Sequence, residues 1–265
     1  MIAKVRASNL RSLPLLLAAG GWVCAWNVAP AAVQDAAQPV LEGPGSLAGV
    51  WLITNYKGSG GRGGARPRVP VTVEGKPAPL LPAAAALLEK RIEDADRGYP
   101  FANTLTSCLP GGMPLMIIGE APYPIQILET PGQITMLFEE QNHFRIVRMG
   151  AKHAEDPDPS YMGDSVGHWE AGTLVVDTVA LTDRTTIDQV GMPHSEDLHL
   201  IERYRRVDRD TLEVLVTLTD PKTFSAPWQT RAIYKSVPPG TGVSEYICEN
   251  NRNTPDMQGH MGFQR

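Results

Sequence analysis

Cysteine is scarce in this chain, with three in 265 residues. That excludes a disulfide-dense miniature scaffold, and with no CxxC pair it excludes a cysteine-based zinc ribbon. No HExxH occurs, so the usual helix-borne zinc hydrolase motif is missing too. Strand signals do not alternate with helical ones, which argues against an α/β nucleotide-binding fold, and no repeat of solenoid length is present. Positive charge is in deficit: 24 Lys and Arg stand against 29 Asp and Glu, for a net charge of −5. An acidic chain is a poor nucleic-acid binder. The one basic cluster (Lys57, Arg62, Arg66, Arg68) lies in a Gly-rich tract, read as a flexible loop over 57–69.

The first residues have a basic start (Lys4, Arg6, Arg11), an apolar run from Leu13 and small residues at Ala29, Ala31 and Ala32. This is the layout of a secretory signal peptide, expected to span 1–32. Gly20, Gly21 and Asn27 break the apolar run, so stable membrane insertion is not expected. Cys24 lacks a proper lipobox before it. Removal of the segment takes away three positive charges and no negative ones, leaving about −8 on residues 33–265. The expected location is periplasmic or secreted. There the two remaining cysteines, Cys108 and Cys248, suggest one disulfide, with a buried thiol or a nucleophile as the rivals.

Residues 33–265 read as a single all-β domain. LAGVWLITN offers a first strand with a G-x-W arrangement at Gly49 and Trp51. PLLPAAAALLEKRIEDADRGYP is the one convincing helix: Pro82 suits its first position, Ala85, Leu88 and Ile92 form its apolar face, and Gly98 with Pro100 stop it. From Pro124 on, strand follows strand across short turns: 125–130, 134–139, 144–149, 165–170, 173–181, 198–207, 211–219, 228–237, and SEYIC at 244–248. About nine strands in this order predict an antiparallel meander barrel, lipocalin-like, with one short helix.

Candidate chemistry gathers between Tyr161 and Arg206, where three of the six histidines lie. Pairing Val207 with Thr211 sets Glu202 opposite Val216 and Tyr204 opposite Val214. Glu202 then sits on an otherwise apolar face, where a carboxylate must be paired, protonated or wet. Arg145 and Arg231 are candidate partners. Asp177 lies in TLVVDTVAL, apolar on both faces, and is expected to be buried. His194 and His199 are candidates for proton transfer, oriented by Asp177 or Glu202. His168 is a further catalytic candidate, and Tyr161, Tyr204 and Trp169 are candidate substrate contacts. His153, with Asp156 and Asp158, sits in a loop read either as turn formers or as a calcium site. His143 is read as an exposed turn residue. No nucleophile elbow supports a Ser-His-Asp triad on Ser195 or Ser165. No metal or cofactor is implied.

Taken together, CLPGGMP, GDSVGHWEAGTLVVDT, PHSEDLHLIER and EYICENN resemble a family of exported bacterial β-rich proteins. Its pattern runs CLPxGxP, GxWExxTLVVDT, PHSxxLHxxER and YxCxENN, and the resemblance spans Leu47 to Arg252. It implies a signal peptide and a β-rich domain and attaches no catalytic residues. The reading is therefore a cofactor-independent enzyme of lyase or isomerase type. It would use His and Asp/Glu on a small, partly apolar, aromatic or similar compound, by elimination, deformylation or dehydration. The alternatives are a lipocalin-like carrier of an apolar ligand and a metal-dependent hydrolase. Nothing in the sequence sets the oligomeric state.

Overall fold

The structure is a computed structural model that describes residues 45–54, 70–99, 104, 108–118, 123–238 and 240–248. The expected signal peptide, the Gly-rich loop of 57–69 and the tail with His260 lie outside the described residues. Nine strands close into one barrel in chain order. They are β1 (Gly49–Ile53), β2 (Ile125–Thr130), β3 (Gln133–Phe138), β4 (His143–Met149), β5 (Asp164–Glu170), β6 (Thr173–Val179), β7 (His199–Asp208), β8 (Thr211–Thr219) and β9 (Trp228–Ser236). The expected meander barrel is what these strands form.

One pair departs from strict alternation: β4 and β5 run parallel, with Val147 beside Ser165 and Met149 beside Gly167. A closed ring with an odd number of strands cannot alternate all the way round. The connection after Met149 returns along the barrel before β5 begins, and so supplies the required parallel pair. Gly167 belongs to this contact: a Cβ there would lie 2.7 Å from Val147 Cγ1. Its lack of a side chain lets the parallel strand approach.

The β7–β8 register matches expectation at Glu202–Val216, Tyr204–Val214, Leu200–Leu218 and Arg205–Glu213. Its turn differs. Asp208 pairs with Thr211, and the register shifts between Arg206 and Asp208, so Val207 is an extra residue on one strand. A bulge with a shorter turn leaves the same facing residues as the three-residue turn inferred from sequence. Leu198, Leu200, Glu202, Tyr204, Leu212, Val214, Val216 and Leu218 are all buried on one face. Trp51 is also core, with its indole N–H donating to the Leu47 carbonyl at 2.8 Å and the Arg206 guanidinium 5.3 Å from its ring centroid.

Helix α1 (Pro82–Asp96) begins with proline at the expected place. Its inner face is Ala84, Leu88, Arg91, Ile92 and Ala95, while Ala85 is exposed. Leu88 and Ile92 of the expected face thus pack on the core while Ala84 stands in for Ala85, and Arg91 on the same side donates to the Gly191 carbonyl. A second short helix, α2 (Leu115–Ile118), follows CLPGGMP and buries Leu115, Met116 and Ile117. It was not expected, since four apolar residues carry no helical period. SEYIC is not a strand. It is a strap held by side chains, with Ser244 N–H donating to Glu139 Oε2 at 2.7 Å and Tyr246 N–H to Asn142 Oδ1 at 3.0 Å. Cys248 in this strap is disulfide-bonded to Cys108.

Candidate functional site

The residues singled out from sequence divide among three places. The first is the barrel interior. Side chains on β4, β5, β6 and β7 alternate in and out, which turns Arg145, Ser165, Thr178, Glu202 and Tyr204 inward together. Arg145 is 1% exposed and Glu202 0%. The Arg145 Nε–H donates to Ser165 Oγ at 3.0 Å, one Nη to Glu202 Oε1 at 3.0 Å, and the other to Thr178 Oγ1 at 2.6 Å and to Glu202 Oε2. The Tyr204 hydroxyl donates to Glu202 Oε1 at 2.9 Å. Of the fates open to Glu202, pairing with Arg145 is the one realised. Burial works against the guanidinium charge, but Glu202 beside it prevails and the Arg145 pKa is raised. Burial, reinforced by Glu202, pushes the Tyr204 phenol well above its ordinary value. Every member of this network is shielded from solvent, so Tyr204 is not placed to meet a substrate.

Ser165 also stands in the letters Gly163-Asp164-Ser165-Val166-Gly167, which spell GxSxG. It lies within β5 rather than on a strand-to-helix turn, is 2% exposed and serves Arg145. The spelling is therefore not a nucleophile elbow.

The second place is the segment between β6 and β7. His194 is buried, its Nε2 2.7 Å from Thr185 Oγ1 and its Nδ1 2.9 Å from the Ser195 carbonyl. A carbonyl only accepts, so Nδ1 carries the hydrogen; in the neutral ring Nε2 then accepts from the Thr185 hydroxyl, whose other acceptor within reach is the Thr182 carbonyl at 3.2 Å. Thr185 packs against Gly112 so closely that a Cβ on that glycine, held at φ +77°, would lie 2.4 Å from Thr185 Cγ2. The Ser195 N–H and hydroxyl both donate to Asp220, at 2.7 and 2.8 Å. PHS and CLPGGMP thus meet as one packed unit rather than as a triad. Asp188, which sequence reasoning passed over, is buried here as well. Its Oδ1 accepts from Gly191 and Met192 N–H, each at 2.8 Å, and burial raises its pKa.

Burial lowers the His194 pKa below 6.5. The folded state therefore favours the neutral ring, and the stability this contributes is complete above pH 6.5 and lost as pH falls through the window below it. His143, whose pKa is lowered by burial, acts with the same sign. Denaturant melts at pH 7.5 and pH 5.0 are expected to show the fall, and His194→Gln to make it shallower. Parallel pH slopes for the two proteins would contradict this.

The third place is the outer face of the barrel. Asp177 pairs with Ile201, which lies on the outward face of β7 with His199 and Arg203. Asp177 therefore points outward and is 38% exposed, contrary to the burial expected from its apolar neighbours. The cause is that the outward valines of β6 are themselves largely covered, so both faces of the strand read as apolar. His199 Nε2 lies 2.7 Å from Asp177 Oδ1, with His199 41% exposed. His153 joins them. Its Nε2 is 3.1 Å from Asp177 Oδ1 and its Nδ1 3.1 Å from Asp164 Oδ2. Asp164 is also ion-paired with Arg148 and accepts the Ala154 N–H at 3.0 Å. Burial raises the Asp164 pKa, but Ala154, His153 and Arg148 outweigh it and the net shift is downward. The result is a chain, Arg148–Asp164–His153–Asp177–His199, across four adjacent strands and the β4–β5 connection.

His168 and Trp169 are exposed on β5, with His168 two register positions from Val166, the partner of Asp177, and close to Glu170. Tyr161 is half-buried before β5, its carbonyl accepting the Met113 N–H at 2.9 Å. The structure thus brings His199 and Asp177 together and separates them from Glu202 by the sheet itself, since His199 and Glu202 lie on opposite faces of β7. His194 belongs to neither group. His153, first read as a turn or calcium residue, is the member that sequence reasoning missed. Its link to Asp164 and Asp177 spans a connection that carries no periodic signal. Among the described residues, no three His, Cys, Asp or Glu side chains form a group able to hold a metal ion.

Compared with known protein families and with curated proteins, the chain matches none. Among solved structures it is similar to a secretory abundant heat soluble protein from Ramazzottius varieornatus. The two are 11% identical with a TM-score of 0.34, over 72% of this chain and 95% of that one. The barrel assignment rests on the strand pairing itself.

Proposed function

We propose that this is an exported, cofactor-independent enzyme in which His199, backed by Asp177, transfers protons to and from a small, partly apolar compound. The observation that carries the reading is the 2.7 Å contact between a half-exposed imidazole and a half-exposed carboxylate. A carboxylate on Nε2 fixes the orientation of the ring, leaving Nδ1 to work as base and then acid. His153 extends the pair, held by Asp164 and Arg148. His168, on the outward face of β5, is assigned to substrate contact, whereas Trp169 alternates onto the opposite face at the strand's end. Glu202, Tyr204 and His194 have structural roles here. Elimination, deformylation, dehydration and isomerisation all fit, since each needs only a proton removed and returned. Export is supported by the signal-like first residues and by the Cys108–Cys248 disulfide. Among the described residues, no helix is long and apolar enough to cross a membrane.

The test is incubation of the purified protein with a pooled small-molecule extract, followed by untargeted mass spectrometry. At least one compound is expected to be consumed, with His199→Ala slowing that by about 10²–10⁴-fold and Asp177→Asn slowing it less. Unchanged consumption by His199→Ala would sink the assignment. A ligand-carrying role is the second reading, favoured by the closed barrel architecture. Elemental analysis of the same preparation decides the metal-hydrolase alternative.

A further inference from the structure

Of the histidines, His194 is enclosed, and His143, expected as an exposed turn residue, instead begins β4 on the inward side and is half-buried. The outer wall keeps His153, His168 and His199, and it sorts its charges by register. Val166, Asp177 and Ile201 stand in one outward row across β5, β6 and β7. Two residues along the strands, about 7 Å away, His168, Val175 and Arg203 stand in the next outward row. His199 lies on the other side of the first row. The acids Asp164 and Asp177 thus gather at the His199 end, His168 and Arg203 at the far end, and half-buried Val166 and Ile201 between them.

Arg203 and His168 converge on Glu170. Arg203 Nη1 donates to Glu170 Oε2 at 2.6 Å, and Arg203, with His168 beside it, holds the Glu170 carboxyl below its ordinary pKa. The guanidinium is a planar fork of N–H donors, and this ion pair commits one of its nitrogens. Arg203 is 43% exposed, so the rest of the fork faces solvent. Arg205 and Arg231 share Glu213 nearby, so three arginines meet two glutamates on this part of the wall, in a chain whose net charge is −5.

We propose that the compound handled at His199 is a carboxylic acid, its carboxylate held by Arg203 with His168 donating beside it and its apolar body lying over Val166 and Ile201. An arginine fork matches a carboxylate in shape as well as charge. Asp164 and Asp177 repel the same group from the other end, so the molecule has one orientation, with its far end at His199. This inference rests on the acid–base reading of His199 and Asp177 and names the substrate class for that site.

Titration of the whole protein with 3-phenylpropanoate, 3-phenylpropanol and 3-phenylpropylammonium, followed by calorimetry and by the imidazole C–H signals in NMR, tests it without any turnover. The acid is expected to bind at one site and to shift the His168 and His199 signals while leaving His194 in place. The alcohol is expected to bind about tenfold more weakly or worse, and the ammonium not measurably. Arg203→Met is expected to weaken the acid about tenfold, and Glu170→Gln, which releases Arg203, to tighten it. Equal binding of acid and alcohol, or shifts centred away from His168 and His199, would overturn the inference. In the pooled extract the compounds consumed are expected to be acids, with Arg203→Met raising KM about tenfold and changing kcat less than about twofold. Consumption of neutral or cationic compounds that stops in His199→Ala would overturn the carboxylate and leave the acid–base reading standing. Consumption of acids that His199→Ala leaves unchanged would overturn the acid–base reading and this inference with it.

Discussion

Replacing Arg145 by methionine is expected to destabilise the barrel by about 3–5 kcal/mol, read as a lowered urea midpoint. The reason is what remains behind. Glu202 is wholly buried, and its two oxygens face Arg145 and the Tyr204 hydroxyl. Without the guanidinium, an unpaired carboxylate sits beside the Ser165 and Thr178 hydroxyls with no route to water. Arg145 also uses its N–H groups on those hydroxyls, so the loss reaches three strands at once. The double replacement Arg145→Met with Glu202→Leu should recover most of the loss, because an apolar pair of similar volume carries no desolvation penalty. If the single replacement costs less than about 1 kcal/mol, or the double costs as much as the single, the ion pair is not what holds this part of the core.

Opening the Cys108–Cys248 disulfide has the second large expected effect. It joins positions 140 residues apart, so the oxidised chain enters the unfolded state with a long closed loop. The chain-entropy relation puts the stabilisation near 5 kcal/mol, and loss of native disulfides typically costs about 2–5 kcal/mol. The Cys108→Ser, Cys248→Ser double variant should melt well below the parent, with reductant shifting the parent toward the variant. A thiol titration under denaturing conditions should give no Cys108 or Cys248 thiol until reductant is added. A reduced parent as stable as the oxidised one would mean that the strap is held by Glu139 and Asn142 alone.

The two candidate acids show where sequence reasoning reaches and where it stops. For Glu202 the apolar period of its own hairpin was enough. Leu198, Leu200 and Tyr204 on one strand, and Leu212, Val214, Val216 and Leu218 on the other, placed it on the core face, and Arg145 was already a named partner. Asp177 carried no such signal. Its strand alternates Leu174, Val176 and Thr178 with Val175, Asp177 and Val179, and either set could have faced inward. The choice was made by pairing with β7, where Asp177 meets Ile201 on the outward face. His153 lay in a stretch of prolines and acids read as turns, and only the return of that segment along β5 and β6 places its ring between Asp164 and Asp177. His194 is a proton-transfer candidate by sequence, but its ring is buried and its partner is a threonine hydroxyl.

By itself the sequence determined the nine barrel strands, the helix at Pro82 and the core-facing position of Glu202, and it offered a Cys108–Cys248 disulfide as one of several readings. These follow from short-range rules: period-two alternation, turn residues and a proline at a helix start. The tertiary structure decided the parallel β4–β5 pair, the outward turn of Asp177 and the meeting of His153 and His199 on Asp177. Each depends on which segments lie side by side after the barrel closes. Neighbouring residues along a chain fix local geometry, whereas the meeting of distant ones is set by closure and register, which no single strand encodes.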